Sequence, residues 1–558
     1  MSEERSRLDS RVCGNDGAIR ARLAGFFATP ERRALAAVLA LAAAYFAWYL
    51  LPLDGFEHAF PIDDSYITLT AARNLAEHNS FTINPEAPGA GITSPLHVIL
   101  VGLLGKAVGV EPADRFVGLL ALLFLVAGAF AWARQLGAGW PAATLASVLT
   151  IVTGPAIFGA LNGLETDLFA ALLIWTFVAV EKSREQRRWT YGLGALVGLA
   201  ALTRPEGYFL AAAVFGVRAF ELLWRRNVRG LRDLAAAAGI AGAALAPYLL
   251  FNLLAQGHFF PPTVSAKKYF FSLYCRSFHT NLAGLREGLL HFHALLGFGV
   301  VLLPFAFRWL RRGYPLLFLA IFYAAYLVEF VGALTHYWGR YQHPLMPPIF
   351  VGVAVGAETI AGWMRRRRPD AGKWFWRIAV GLLVFQALST GRMHHGIYRH
   401  AITSADDYGY LMAVAKVARE NTEPGDLIAA HDIGILSYFG DRPLLDLVGL
   451  TDPEAARINK QFSACRARNA RAKELYEYLQ RRRPKLVIFF PDWDHAFLGL
   501  LWMDGGRHMK LFYRHQKTRA EAPLAQQRHA AYDFYLCDWD HDLRPEQLPR
   551  ETKTKPQE

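Results

Sequence analysis

Two aspartates stand side by side, Asp63 and Asp64, in the run PIDDSYITLTAAR. Adjacent carboxylates repel each other, so a pair held beside an apolar surface must bind something or be hydrogen-bonded into place. Such a pair suits a general base that takes a proton from a hydroxyl. The plainer alternative is that one of them caps the helix expected over residues 66–76, since Asp favours a helix start, and one can cap while the other reacts. A second polar group is NGLETD at 162–167, where Glu165 could orient a substrate hydroxyl and Thr166 or Asp167 could cap the next helix. The third is TRPEG at 203–207. The planar fork of Arg204 suits phosphate oxygens, and an ion pair of Arg204 with Glu206 or Glu165 is the structural alternative. PPTVSAKKY (261–269) and HYWGRYQH (336–343) add Lys267, Lys268 and Arg340, cations able to hold an anionic lipid headgroup. Tyr337, Trp338 and Tyr341 could stack on a sugar or simply form an interfacial aromatic belt. Asp432 and Asp446, much later in the chain, either reach this site or serve turns.

The elements that must position these residues are membrane spans. The chain has 558 residues, 53% hydrophobic and 19% charged, with a mean hydropathy of +0.18; a soluble domain is nearer a quarter charged. Its apolar residues gather in runs such as 34–53 and 116–133, long enough to cross a bilayer. The net charge of +13 does not indicate nucleic acid, because the arginines cluster in short loops between apolar runs: 182–188, 225–232, 308–312 and 365–373. Such loops are cytoplasmic by the positive-inside rule. The amino terminus, with Arg20, Arg22, Arg32 and Arg33, shares that side, and the first apolar run reads as a retained anchor. Segments 54–95, 204–207, 257–285 and 336–343 then face outward, and the candidate residues of the membrane part lie on or beside them. Parity requires one run not to cross. Residues 96–110 are short and carry His97 and Lys106, so they are expected to be juxtamembrane or re-entrant, while 116–134 and 141–161 cross as a pair.

The expected fold is therefore a polytopic α-helical membrane protein of about 11 transmembrane helices, with a C-terminal α/β globular domain on the outer side. Residues 1–33 are the cytoplasmic segment, 34–395 the membrane domain with its first outer loop at 54–113, 396–543 the periplasmic domain and 544–558 a disordered tail. Within the outer domain, 426–430 and 485–490 (KLVIFF) read as strands and 406–420 and 470–482 as helices. No repeat is visible. The four cysteines have no CxxC spacing, so neither a zinc site nor a disulfide framework is indicated.

The block DDSYITLTAARNLAEHNSFTINPEAPGAGITSPLH resembles the GT-C superfamily of polyprenyl-phosphate-sugar-dependent glycosyltransferases. Within it, the likeness is to the branch that includes the mycobacterial terminal arabinofuranosyltransferase. LNGLETDLF, ALTRPEGYFL, PPTVSAKKY, HYWGRYQHPLMPP and GILSYFGDRPLLDLVGLTDP continue it in order over most of the chain. The resemblance implies that Asp63, with Asp64 beside it, deprotonates an acceptor hydroxyl. That oxygen displaces a lipid-linked phosphate from the anomeric carbon with inversion. Residue chemistry gives the donor-phosphate set for that step as Arg204, Lys267, Lys268 and Arg340. The sugar and acceptor set is Tyr66, Thr93, Ser94, His97, Glu165, Glu206, His336 and Tyr341. His97 stands where the family has Trp after TSPL, and Thr70 replaces an aromatic or Arg, so the arabinose assignment does not transfer. Partners would be a polyprenyl-phosphate sugar, an envelope glycan or glycolipid acceptor and membrane lipids, with no nucleic acid. The location would be the bacterial inner membrane. No cofactor is expected to be required, and no metal site is assigned; a divalent cation is compatible with the carboxylates.

Lipid A or a protein as acceptor would share this mechanism. A transporter is the rival of a different class. It predicts ionisable residues in mid-span and related halves; the charges lie at helix ends, with Glu329 the exception to be located. A non-catalytic glycan sensor is the third reading.

Overall fold

Apolar runs without internal breakers become long helices because every backbone N–H and C=O is then satisfied within the segment. The computed structural model describes residues 29–50, 60–83, 91–261, 263–271, 273–403, 405–462, 464–516 and 531–541. Asn84, Pro85, most of the cytoplasmic segment and the 544–558 tail lie outside the described residues.

The chain is a multi-pass helical membrane protein. Six described helical segments are long and apolar enough to span: Pro30–Leu50, Val110–Gln135, Glu206–Trp224, Val228–Ala255, Phe278–Phe305 and His343–Arg367. A seventh span forms if Trp140–Val152 and Pro155–Leu161 count as one; they meet at 59°, where Gly154 adopts φ 99° and Pro155 cannot continue the preceding helix. The remaining predicted spans are the helices Thr166–Ser183, Arg188–Thr203, Tyr314–Glu329 and Pro369–Thr403. The run expected not to cross forms the short apolar helix Pro95–Val108. It lies against the helix Asp63–His78, so close that a Cβ on Gly102 would stand 3.0 Å from the Ala72 carbonyl oxygen.

The C-terminal domain is built on a mixed five-stranded sheet in the order β2-β1-β3-β5-β4, with β1 Ile428–Ala430, β2 Leu444–Asp446, β3 Leu486–Phe489, β4 Met509–Gln516 and β5 Ala531–Cys537. β1 pairs in parallel with β2 and β3, and β5 is antiparallel to β3 and β4. β1, β3 and the helices Ala405–Glu420 and Ala464–Arg482 match the expected elements; β2, β4 and β5 were not foreseen. Alternate residues of β3 serve two cores, Leu486 and Ile488 on one face and Val487 and Phe489 on the other, as the two-residue period of a strand requires. The first of these cores also contains Tyr66, Leu69, Val98 and Val101. The sheet and the segment around Tyr66–Val101 thus share one apolar interior, which sets the C-terminal domain directly against the aspartates. Cys537 is a buried free thiol, whereas Cys275 is disulfide-bonded.

Candidate active site

Asp63 and Asp64 form the first turn of the helix Asp63–His78, whose N-cap, Ile62, makes no side-chain cap bond. Neither aspartate caps its own helix. Successive helical residues point about 100° apart, and the two carboxylates find different partners. Asp63 accepts hydrogen bonds from Gly434 N at 2.9 Å and Ile435 N at 2.8 Å. These are the first amides of the C-terminal-domain helix Gly434–Phe439, a position whose N–H groups have no partner within the helix. At the other end of that helix, Arg73 donates to the carbonyls of Tyr438 (2.6 Å) and Ser437 (3.2 Å). A carboxyl group with two acceptor oxygens therefore meets its amino end and a cation its carboxyl end, where the unpaired amides and carbonyls of a helix lie. The approach needs glycine: a Cβ on Gly434 would lie 1.9 Å from the Asp63 carbonyl oxygen. Burial and the nearby Asp432 carboxylate push the Asp63 carboxyl up to about 8, although its two N–H bonds pull the other way.

Asp64 instead meets Arg340 at 2.5 Å and Lys267 at 3.5 Å. Burial alone would raise its carboxyl, but Lys267, Arg340 and His336 outweigh burial and hold it well below the usual carboxylate range. Burial and Arg340 push the His336 imidazole down to about 3, so it is neutral at physiological pH. Arg340 follows three successive left-handed residues, Tyr337 (φ 43°), Trp338 (φ 57°) and Gly339 (φ 76°). Such backbone persists only where packing imposes it; here Trp338 stands edge-on to Phe158. Arg340 is nearly buried, and its Nε and Nη1 have no hydrogen-bond partner among the described residues.

Asp64, Lys267 and Arg340 line a cavity of about 230 Å³, together with Thr93, Glu165, Arg204, Glu206 and Tyr341. The structure thus brings together eight of the residues expected from sequence, drawn from five separate segments. Arg204 is already paired within the cavity. It donates to Glu165 at 2.9 Å and to both oxygens of Glu206 at 2.8 and 3.2 Å, so its charge is met by two carboxylates and the ion-pair alternative describes it. Lys268 turns to Glu329 at 2.7 Å, and Glu329 is the last residue of its helix, not a mid-span charge. His336 is not among the residues lining the cavity.

Other expected residues lie elsewhere, for packing reasons. His97 was expected at the sugar; it is buried and hydrogen-bonded to Asp114 at 2.8 Å, a link between two helices. Tyr66, buried against Tyr438 and Phe439, accepts from Phe60 N at 3.1 Å. Ser94 is buried directly before the helix Pro95–Val108. Asp446 accepts from Val448 N and Thr451 N, the turn role, and Asp432 accepts from Tyr532. Sequence reasoning missed Tyr326, whose hydroxyl donates to Glu206 at 2.7 Å beside the cavity. Its three-residue spacing from Glu329 was the available signal, since that spacing shares a helix face. Among the described residues, no group of three or more His, Cys, Asp or Glu side chains is placed to hold a metal ion.

The fold is that of solved GT-C glycosyltransferases. ArnT from Cupriavidus metallidurans bound to undecaprenyl phosphate matches with a TM-score of 0.54 at 14% identity, over 89% of this chain and 97% of that one. The oligosaccharyltransferase AglB from Archaeoglobus fulgidus, in complex with an inhibitory peptide and a dolichol-phosphate, matches with a TM-score of 0.52 at 12% identity, over 88% and 75%. The arabinofuranosyltransferase AftD from Mycobacteria has a TM-score of 0.44 at 15% identity, over 90% and 41%. A domain of unknown function, DUF8728, matches residues 396–536. No curated protein sequence matches the chain.

Proposed function

We propose that this chain is a membrane glycosyltransferase that moves a monosaccharide from a polyprenyl-phosphate donor to a hydroxyl of an envelope glycan or glycolipid. The observation that carries it is one cavity in which a carboxylate, Asp64, meets two cations, Lys267 and Arg340, with two Arg340 donors still unpartnered. The undecaprenyl phosphate and dolichol-phosphate of the two solved relatives support a lipid-linked phosphate as the donor's leaving group.

The roles of the two aspartates divide. Asp64 is the base and Asp63 the anchor that seats the outer domain above it. The acceptor hydroxyl gives its proton to Asp64 as its oxygen bonds to the anomeric carbon. The bond from that carbon to the phosphate oxygen breaks on the opposite face, and the electron pair leaves with polyprenyl phosphate. Lys267 and the free Nε and Nη1 of Arg340 meet the charge that grows there. Without donor, the same cations hold Asp64 as a weak base. A bound phosphate competes for them, so Asp64 gains basicity when the donor arrives. Arg204, locked by Glu165 and Glu206, shapes the wall and holds those carboxylates near the sugar hydroxyls. Orientation follows the basic loops, with the cavity and outer domain periplasmic in a bacterial inner membrane. The disulfide at Cys275, in the segment that carries Lys267, suits that oxidising side.

Purified protein incubated with a panel of polyprenyl-phosphate sugars and extracted envelope acceptor should release polyprenyl phosphate from at least one donor. Release from none, together with sugar-lipid flux through proteoliposomes, would establish a transporter instead.

A further inference from the structure

A second cavity, of about 610 Å³, opens at the opposite ends of the helices that carry Arg204 and Glu206. The helices Arg188–Thr203 and Glu206–Trp224 have 16 and 19 residues; at 1.5 Å per residue they separate the two cavities by roughly 24–28 Å, about the hydrocarbon thickness of a bilayer. Seven arginines line it. Four are engaged by carboxylates. Glu181 meets Arg184 and Arg312, Glu221 meets Arg184 and Arg218, and Asp233 takes both Nε and Nη2 of Arg187 at 2.7 Å. Even so, Arg184 Nε and Arg312 Nε are buried without a hydrogen-bond partner among the described residues. The other three, Arg225, Arg229 and Arg311, are exposed at the rim and make no ion pair with a described carboxylate. Counting Glu185, seven guanidiniums face four carboxylates, a surplus of three positive charges.

One helix end presents this charge and an apolar surface together. Arg218, Glu221, Leu222 and Arg225 share the spacing of one helical face and line the cavity. Phe220, Leu223 and Trp224 share the opposite face and are 65%, 61% and 81% exposed. Topology alone asks for basic residues in these loops, but it asks neither for a cavity nor for guanidiniums gathered from four chain segments into it. An amphiphile fits: phosphate oxygens among the guanidiniums, acyl chains along the apolar face.

We propose that this cavity binds the phosphodiester headgroup of an anionic glycerophospholipid, in the leaflet opposite the catalytic cavity. The test is native mass spectrometry of the full-length protein released from phosphatidylcholine nanodiscs with and without added phosphatidylglycerol or cardiolipin. Wild type should retain an anionic lipid and no phosphatidylcholine. The combined Arg225→Gln, Arg229→Gln and Arg311→Gln variant should retain it roughly a hundredfold less tightly, from about a fivefold loss per cation. A control with Arg366→Gln, Arg367→Gln and Arg368→Gln removes the same charge from another basic loop and should retain it fully. Should the triple rim variant melt early in detergent, the three single substitutions carry the comparison. Equal retention by the rim variants and wild type would overturn the proposal. So would equal loss in the control, which would mean diffuse attraction to the membrane. Displacement of the lipid by millimolar inorganic phosphate, with equal binding of that phosphate alone, would also overturn it and assign a soluble anion.

Discussion

Replacing Asp64 by Asn should separate binding from chemistry in opposite directions. The carboxylate lies 2.5 Å from Arg340 and 3.5 Å from Lys267 and is 22% exposed. Two unit charges 4 Å apart attract by about 4 kcal/mol at an effective permittivity of 20, and partial exposure brings this down to about 1–2 kcal/mol. The amide releases both cations to a phosphate at no such cost, so polyprenyl phosphate should bind Asp64→Asn about tenfold more tightly than wild type, tenfold being roughly 1.4 kcal/mol. Loss of the base should meanwhile slow transfer by about 10²–10⁴-fold. Calorimetric titration of polyprenyl phosphate into nanodisc-embedded protein reads the first effect. Single-turnover release of polyprenyl phosphate reads the second. Transfer within threefold of wild type would remove Asp64 from the base role. Weaker polyprenyl phosphate binding would show that Asp64 does not compete with phosphate for Lys267 and Arg340.

Asp63→Asn leaves one oxygen for two amide donors, so the seating of Gly434–Phe439 should weaken by about 1.5–3 kcal/mol; faster hydrogen exchange at Gly434 and Ile435 is the readout, and unchanged exchange would refute the anchoring role. His97→Leu leaves Asp114 buried without its partner, which should cost about 3–5 kcal/mol and lower the melting temperature with acceptor KM unchanged; a KM shift at unaltered Tm would return His97 to the sugar. Asp64 is held below the usual carboxylate range in the free protein, so it stays ionised as pH falls toward about 4, and kcat/KM should stay flat over that interval. Donor binding draws its cations away and raises its pKa, so the acid limb of kcat should lie at higher pH than that of kcat/KM; coincident limbs in the two pH profiles would contradict donor-linked activation.

Much was legible from short stretches, because hydropathy and cation spacing are local properties of a chain. The helical runs, the short apolar helix at Pro95–Val108 and the buried strand within KLVIFF all follow from windows of a few to twenty residues. The run 141–161 read as one straight span because its hydropathy is continuous; Gly154 and Pro155, which bend it, register as geometry and hardly as polarity. β4 and β5 escaped notice because β4 mixes charge with apolar residues and its pairing to β5 leaps over an intervening segment.

By itself the sequence determined that the chain crosses a membrane and which polar groups, Asp63 and Asp64, Glu165, Arg204 and Glu206, Lys267 and Arg340, the apolar context makes costly to keep. Tertiary structure decided how those groups divide. Asp64 meets Arg340 across 276 positions and Asp63 meets Gly434 across 371. Two adjacent carboxylates of the same chemistry differ only in what stands opposite each of them, and that is settled by packing between distant segments. The same holds for Arg204, a phosphate ligand by residue type and an ion-pair partner once Glu165 and Glu206 close on it. Residue type sets what a side chain can do; its neighbours in space set which of those things remains open to it.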